Sequence, residues 1–126
     1  MPKSVPTLAS APKPLAPYSI ATEANGFVFI SGQVAIDPKG GPTPEDVVDQ
    51  AKLVLDNIGN ILGDLGLGYS DVVKTTIFLA DIADFGRVND VYAGYWGDEP
   101  PARSTIQAGA LPKPEFRVEI EAIAAR

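Results

Sequence analysis

Between residues 47 and 65 the apolar side chains Val47, Ala51, Val54, Leu55, Ile58, Leu62 and Leu65 recur at helical spacing. A periodic stretch of that length predicts one long amphipathic helix with a single stripe to bury. Thr43-Pro44-Glu45-Asp46 supplies its start: threonine can cap, proline is preorganised for the first turn, and two acids face the positive end of the helix dipole. Gly66 supplies the stop. Everything else in the chain has to give that stripe a surface to lie on.

The flanking segments change to a period of two. Residues 18–23 and 27–30 are short strand-like runs around Ala24-Asn25-Gly26, and Asn-Gly is a strong hairpin signal. Ser31-Gly32-Gln33 is expected to interrupt the second run, which resumes at 34–36 before the turn at 37–41. Residues 72–79 form a strand in which Val73, Thr75, Ile77 and Leu79 alternate with Val72, Lys74, Thr76 and Phe78. A second helix follows the cap candidates Asp81 and Asp84, with Phe85, Val88, Tyr92 and Tyr95 on one face. Residues 103–108 and 117–124 are strands separated by Leu111-Pro112-Lys113-Pro114. The order strand, strand, helix, strand, helix, strand, strand predicts an α+β domain with two helices on a sheet.

Two helices on short connections cover one sheet face, yet several strands carry large apolar residues on both. Phe78 opposes Val73 and Ile77, and Ile123 opposes Val118 and Ile120. The second face needs a partner, which predicts a homo-oligomer with its sheets turned inward. Residues 1–15, punctuated by Pro2, Pro6, Pro12 and Pro14, read as an extended arm ahead of one domain at 16–126.

Composition narrows the chemistry. The formal charge is −6 with no basic cluster, which argues against nucleic acid as the main partner. No stretch approaches the roughly 20 apolar residues that span a bilayer. The proline-broken first residues lack an apolar signal core, so a cytoplasmic location is expected. The chain has no Cys and no His. Disulfides, thiolate nucleophiles, Cys/His zinc sites and Ser-His-Asp triads are therefore excluded. No metal site is expected, since no carboxylate loop of the calcium or magnesium kind occurs. Chemistry falls to Arg, Glu, Asp, Tyr, Lys, hydroxyls, backbone and water.

Arg103 stands out among these. Pro100-Pro101 ends one element and a strand begins at once, so this guanidinium is seated on stiff backbone. A fixed planar fork suits a carboxylate or phosphate; an ordinary ion pair with one of sixteen acids is the competing reading. Alternation puts Arg117, Glu119 and Glu121 on one strand face, either as solvated ion pairs or with Glu119 as a proton-transfer group in a cleft. Gly32, between Ser31 and Gln33, marks a bulge, a bend or a close approach to the backbone. Tyr18 is a core-edge aromatic or a hydroxyl that holds a substrate or water. Asn89 shares the face of Phe85 and Tyr92 and needs partners for its amide. Lys74 is a Schiff-base candidate or a strand lysine in an ion pair.

Five segments together resemble the RidA/YjgF family of enamine/imine deaminases: Ala16-Pro17-Tyr18-Ser19, Phe29-Ile30-Ser31-Gly32-Gln33, residues 72–79, Pro101-Ala102-Arg103-Ser104-Thr105, and residues 118–124. Asp84-Phe85 with Asn89, and Leu111-Pro112, fit as well. The resemblance implies a chorismate-mutase-like α+β fold, a mixed sheet with two helices on one face, and a homotrimer with a central barrel and three clefts between subunits. It implies hydrolysis of small 2-imino or 2-enamino acids to 2-oxo acids and ammonia, with no cofactor. By position, Arg103 would clamp the substrate carboxylate, Thr105 would offer backbone groups beside the imine, and Glu119 would handle the attacking water and its protons. Tyr18, Ser31, Gly32 and Asn89 would line the cleft. The alternatives are a non-catalytic 2-oxo acid or small-carboxylate sensor on the same fold and, opposed by the acidic charge, a nuclease-like role.

Overall fold

The computed structural model describes residues 2–126. Strands β1 (Ala21–Ala24) and β2 (Phe27–Gln33) form the expected antiparallel hairpin. Its turn residues Asn25 and Gly26 both have left-handed φ, 53° and 81°, the conformation a two-residue hairpin turn demands. Helix α1 (Val47–Asp64), strand β3 (Val72–Leu79), helix α2 (Phe85–Tyr92) and strands β4 (Ala102–Gln107) and β5 (Val118–Ala125) follow. The sheet order is β1-β2-β5-β3-β4. All neighbours are antiparallel except β3 and β4, which run parallel with α2 in their crossover. This is the α+β arrangement of two helices on a mixed five-stranded sheet.

The stripe of α1 is buried throughout, and Val54, Leu55, Ile58, Ile61 and Leu62 meet Val28, Ile30, Ile77, Leu79, Val118 and Ile120 from the sheet. Two amides inside this core are hydrogen-bonded to the backbone. Gln50 donates to the carbonyls of Pro44 and Glu115 and accepts from the N–H of Arg117, tying α1 to the entrance of β5. Asn57 donates to the carbonyl of Ile36. Gly66, with φ 74°, ends the helix as expected.

Several local expectations need correction. Helix α1 starts three residues after Pro44, with Asp46 as the cap accepting from the Val48 N–H at 2.8 Å. The Thr43 hydroxyl is drawn instead to the carbonyl of Ala35, in the loop after β2. Residues 18–20 lie outside β1, because Pro17 sits in a tight turn closed by the Tyr18 N–H on the carbonyl of Ala16. Strand β2 runs through Ser31-Gly32-Gln33 and stops there, and the irregularity appears as a register slip against β5 between Ile30 and Gln33. A second slip between Val72 and Lys74 moves Val73 off the face of Thr75, Ile77 and Leu79 and leaves it exposed.

The helices cover one sheet face only. On the other, Phe27, Phe29, Val73 and Ile106 are each 43–49% exposed, beside the half-buried Phe78 and Ile123. No described part of the chain lies over them. The proline-rich start follows the edge of β1, where Ser4 and Glu23 exchange backbone hydrogen bonds, and Ser10 donates twice to Asp64, whose carboxyl is thereby held below its usual range. No described helix is long and apolar enough to cross a membrane.

Candidate active site

Strand β4 begins right after Pro100-Pro101, and its register places Arg103 beside Thr75, on the helix-covered face. There the guanidinium carbon lies 4.9 Å from the centroid of the Tyr92 ring and 5.6 Å from that of Phe85, both on α2. Arg87 pairs with Asp46, Arg117 with Asp84 and Arg126 with Glu23. Of the four arginines, Arg103 alone has no carboxylate partner among the described residues. It borders a pocket of about 270 Å³ shared with Asn89, Tyr92 and the two prolines. Thr105, two residues on, points to the same face, and its hydroxyl is buried without a partner.

Glu119 lies on the other side of the sheet. Its register partner is Phe78, whose side chain points away from Ile77 and the core. The carboxyl sits against Gly32, where a Cβ would overlap its Oε2 and Cδ, so the bare backbone of that glycine makes the room. Burial first, and the negative charge of Glu121 second, push the pKa of Glu119 up. Tyr18, Ser31 and Gly32 join Glu119 around a pocket of about 330 Å³, with Leu15 and Pro112 at its border. The Ser31 hydroxyl donates to the carbonyl of Ser19 at 2.6 Å, which ties β2 to the segment carrying Tyr18.

The expected site residues therefore fall into two groups. Arg103, Thr105 and Asn89 lie on the covered face; Tyr18, Ser31, Gly32 and Glu119 lie on the open one. Neighbours in a ladder share a face and successive residues alternate, so within one chain Arg103 and Glu119 look in opposite directions. Arg117 does not share the face of Glu119 and Glu121 as expected. It precedes β5 and pairs with the buried Asp84 at 2.7 Å. Lys74 lies in neither group; its Nζ is 3.4 Å from the Thr76 hydroxyl. The rings that hold Arg103 were not legible as site residues. Phe85 and Tyr92 share a helix face by spacing, but nothing local says which strand residue that face meets.

An unpaired, ring-cradled cation thus lies beside a pocket on one sheet face, and a half-buried carboxyl over a bare glycine lies beside another on the opposite face. The family described as Endoribonuclease L-PSP matches residues 8–126, and the chain belongs to it, the RidA/YjgF family. The chain is 46% identical over 123 residues to the 2-iminobutanoate/2-iminopropanoate deaminase of Mus musculus, covering 97% of this chain and 90% of that one. It is 50% identical over 123 residues to the chloroplastic Reactive Intermediate Deaminase A of Arabidopsis thaliana, covering 97% of this chain and 65% of the longer plant protein. The structure of E. coli TdcF with bound serine matches with a TM-score of 0.87 at 39% identity, covering 93% of this chain and 94% of that one.

Proposed function

We propose that this protein is a cofactor-independent deaminase that hydrolyses reactive 2-imino and 2-enamino acids to 2-oxo acids and ammonia. The observation that carries the proposal is the free guanidinium of Arg103, flanked by two rings while every other arginine is neutralised. Such a group is a ready site for a small carboxylate, bound at two points. The imine-deaminase names of relatives at 46% and 50% identity support the chemistry, and the serine bound to TdcF supports a small amino-acid-like ligand.

In this reading Arg103 holds the substrate carboxylate, and Asn89 and the backbone of Thr105 border the imine. Glu119, ionised, takes a proton from water as its oxygen attacks C2. The carbon–nitrogen double bond of the protonated imine becomes a carbinolamine. Glu119 returns its proton to the nitrogen, and as the C–N bond breaks and ammonia leaves, the hydroxyl gives its proton back to Glu119 and becomes the 2-oxo group. The raised pKa of Glu119 makes it a better base than an ordinary carboxylate. A protonated imine is already electrophilic, so positioning and one proton shuttle suffice.

The two groups of residues have to come from two copies of the chain, since one copy holds them on opposite sheet faces. The uncovered apolar face favours such an assembly. A homotrimer with the open faces around a central barrel, three clefts between subunits and a cytoplasmic location completes the proposal. The endoribonuclease wording of the family description finds no support in the charge: a net −6 chain lacks the cation excess that phosphate backbones require.

The test generates 2-iminopropanoate with a serine dehydratase and follows loss of the semicarbazide-trappable imine. Wild type is expected to speed the loss, Arg103→Ala to abolish the effect, and Arg103→Lys to remain poor because an ammonium lacks the planar fork. A wild type that matches buffer yet binds 2-oxobutanoate would replace the enzyme with the sensor reading.

A further inference from the structure

A guanidinium that grips a carboxylate at two points must be held in one plane, and Arg103 has no oxygen partner among the described residues to hold it. Its plane is set by rings. Of the two, Phe85 is 42% exposed, whereas Tyr92 is 5% exposed and fixed on several sides. The Tyr92 hydroxyl shares a 2.6 Å hydrogen bond with the hydroxyl of Thr75, which is 1% exposed. The Trp96 ring packs against it with centroids 5.0 Å apart at 44°. Thr75 is also the register partner of Arg103 across the parallel β3–β4 pair. The contacts thus close a ring: from the Arg103 backbone across the ladder to Thr75, through the two hydroxyls to Tyr92, and from the Tyr92 ring back to the guanidinium.

We propose that the Thr75–Tyr92 hydroxyl pair positions Arg103 for carboxylate binding, with Tyr92 as the positioning residue and Thr75 as the group that fixes its ring. The proposal rests on Arg103 being the carboxylate clamp. Both residues act through Arg103 rather than on the reacting atoms. The ring supplies a flat, electron-rich surface at cation–π distance, and the buried hydroxyl bond keeps that surface from rotating. Because the arginine holds the carboxylate alike in ground and transition states, a misaligned fork weakens substrate binding and leaves the chemical step largely intact.

The experiment compares Tyr92→Phe, which keeps the ring and loses the hydroxyl, with Thr75→Val, Thr75→Ser and the Tyr92→Phe/Thr75→Val pair, all read beside Arg103→Ala. Tyr92→Phe and Thr75→Val are each expected to raise KM about 5-fold, the worth of one hydrogen bond, with kcat within about 2-fold of wild type. Both should weaken 2-oxobutanoate by the same factor and leave the uncharged 2-oxobutanamide unaffected. Thr75→Ser should restore wild-type binding, and the double variant should be no worse than the poorer single one. Singles that lower Tm but leave KM and the acid's Kd unchanged would overturn the proposal, as would an equal loss for acid and amide. In that case an inactive Arg103→Ala keeps the clamp reading standing alone. A fully active Arg103→Ala would bring down the clamp and this inference with it.

Discussion

Replacing Gly32 by alanine should separate activity from stability. The glycine does not have left-handed φ, so alanine fits its backbone without strain, and the smaller unfolded-state entropy stabilises by about 0.4–1 kcal/mol. The three atoms nearest the added Cβ are Oε2, Cδ and Cγ of Glu119, in the outer part of a flexible side chain. Moving it off its rotamer costs about 0.5–1.5 kcal/mol. The two terms nearly cancel, so the folded state should change by no more than about 1 kcal/mol, or roughly 4–8 °C in Tm at most. The carboxylate, however, must retreat by on the order of 1 Å from the pocket it shares with Tyr18. Misplacement of that size costs about 100-fold in rate, within the 10²–10⁴ that general acid–base help supplies. The assay is imine loss with semicarbazide trapping, beside a thermal melt, for Gly32→Ala, Glu119→Ala and the double variant. The double variant should be no slower than Glu119→Ala, because both changes act on one carboxyl. A stably folded Gly32→Ala protein with wild-type kcat would refute the placement of Glu119 in the chemistry.

Phe29→Asp puts a charge on the open sheet face opposite Ile123; sedimentation velocity should show dissociation to monomer with activity lost and the circular dichroism spectrum kept, and an unchanged, active assembly would exclude that face as the interface. Glu119 has a pKa raised above its ordinary 4.5 by burial and by Glu121, so the native state keeps its proton to higher pH than the unfolded chain. Stability should therefore fall as pH rises from about 4.5 through the raised value and then level off. Glu119→Gln should flatten that part of the urea-midpoint profile, and superimposable profiles would show that the carboxyl is not perturbed. Leu55→Ala empties a site with 0% exposure under the sheet and should cost about 2–5 kcal/mol, lowering the urea midpoint at constant m; a loss under about 1 kcal/mol would mean the core closes over the gap.

Much of the architecture was legible because its signals are local. The α1 stripe, the Asn25-Gly26 turn and Gly66 each express backbone geometry within a few residues, and all three are in place. Failures cluster where a distant partner intervenes. Thr43 has good cap chemistry, yet its hydroxyl bonds Ala35, eight residues earlier. Val73 fits the strand alternation, yet the slip against β5 turns it out of the core. Arg117 and Glu119 look equivalent by period, yet one pairs with Asp84, 33 residues away, and the other lies over Gly32.

From its order of residues alone the chain specifies two amphipathic helices among five strands, a stiff seat for Arg103, and a chemistry without thiol or imidazole. Those properties follow from repeat periods, proline geometry and residue type, which need no knowledge of long-range pairing. Only the folded arrangement decides which arginine stays free, which rings hold it, and that Arg103 and Glu119 occupy opposite sides of one sheet. These depend on β5 inserting between β2 and β3, contacts that span up to 98 residues of chain, from Phe27 to Ala125. No local pattern encodes that insertion, because the free energy that selects it comes from burying the whole helix-facing surface at once.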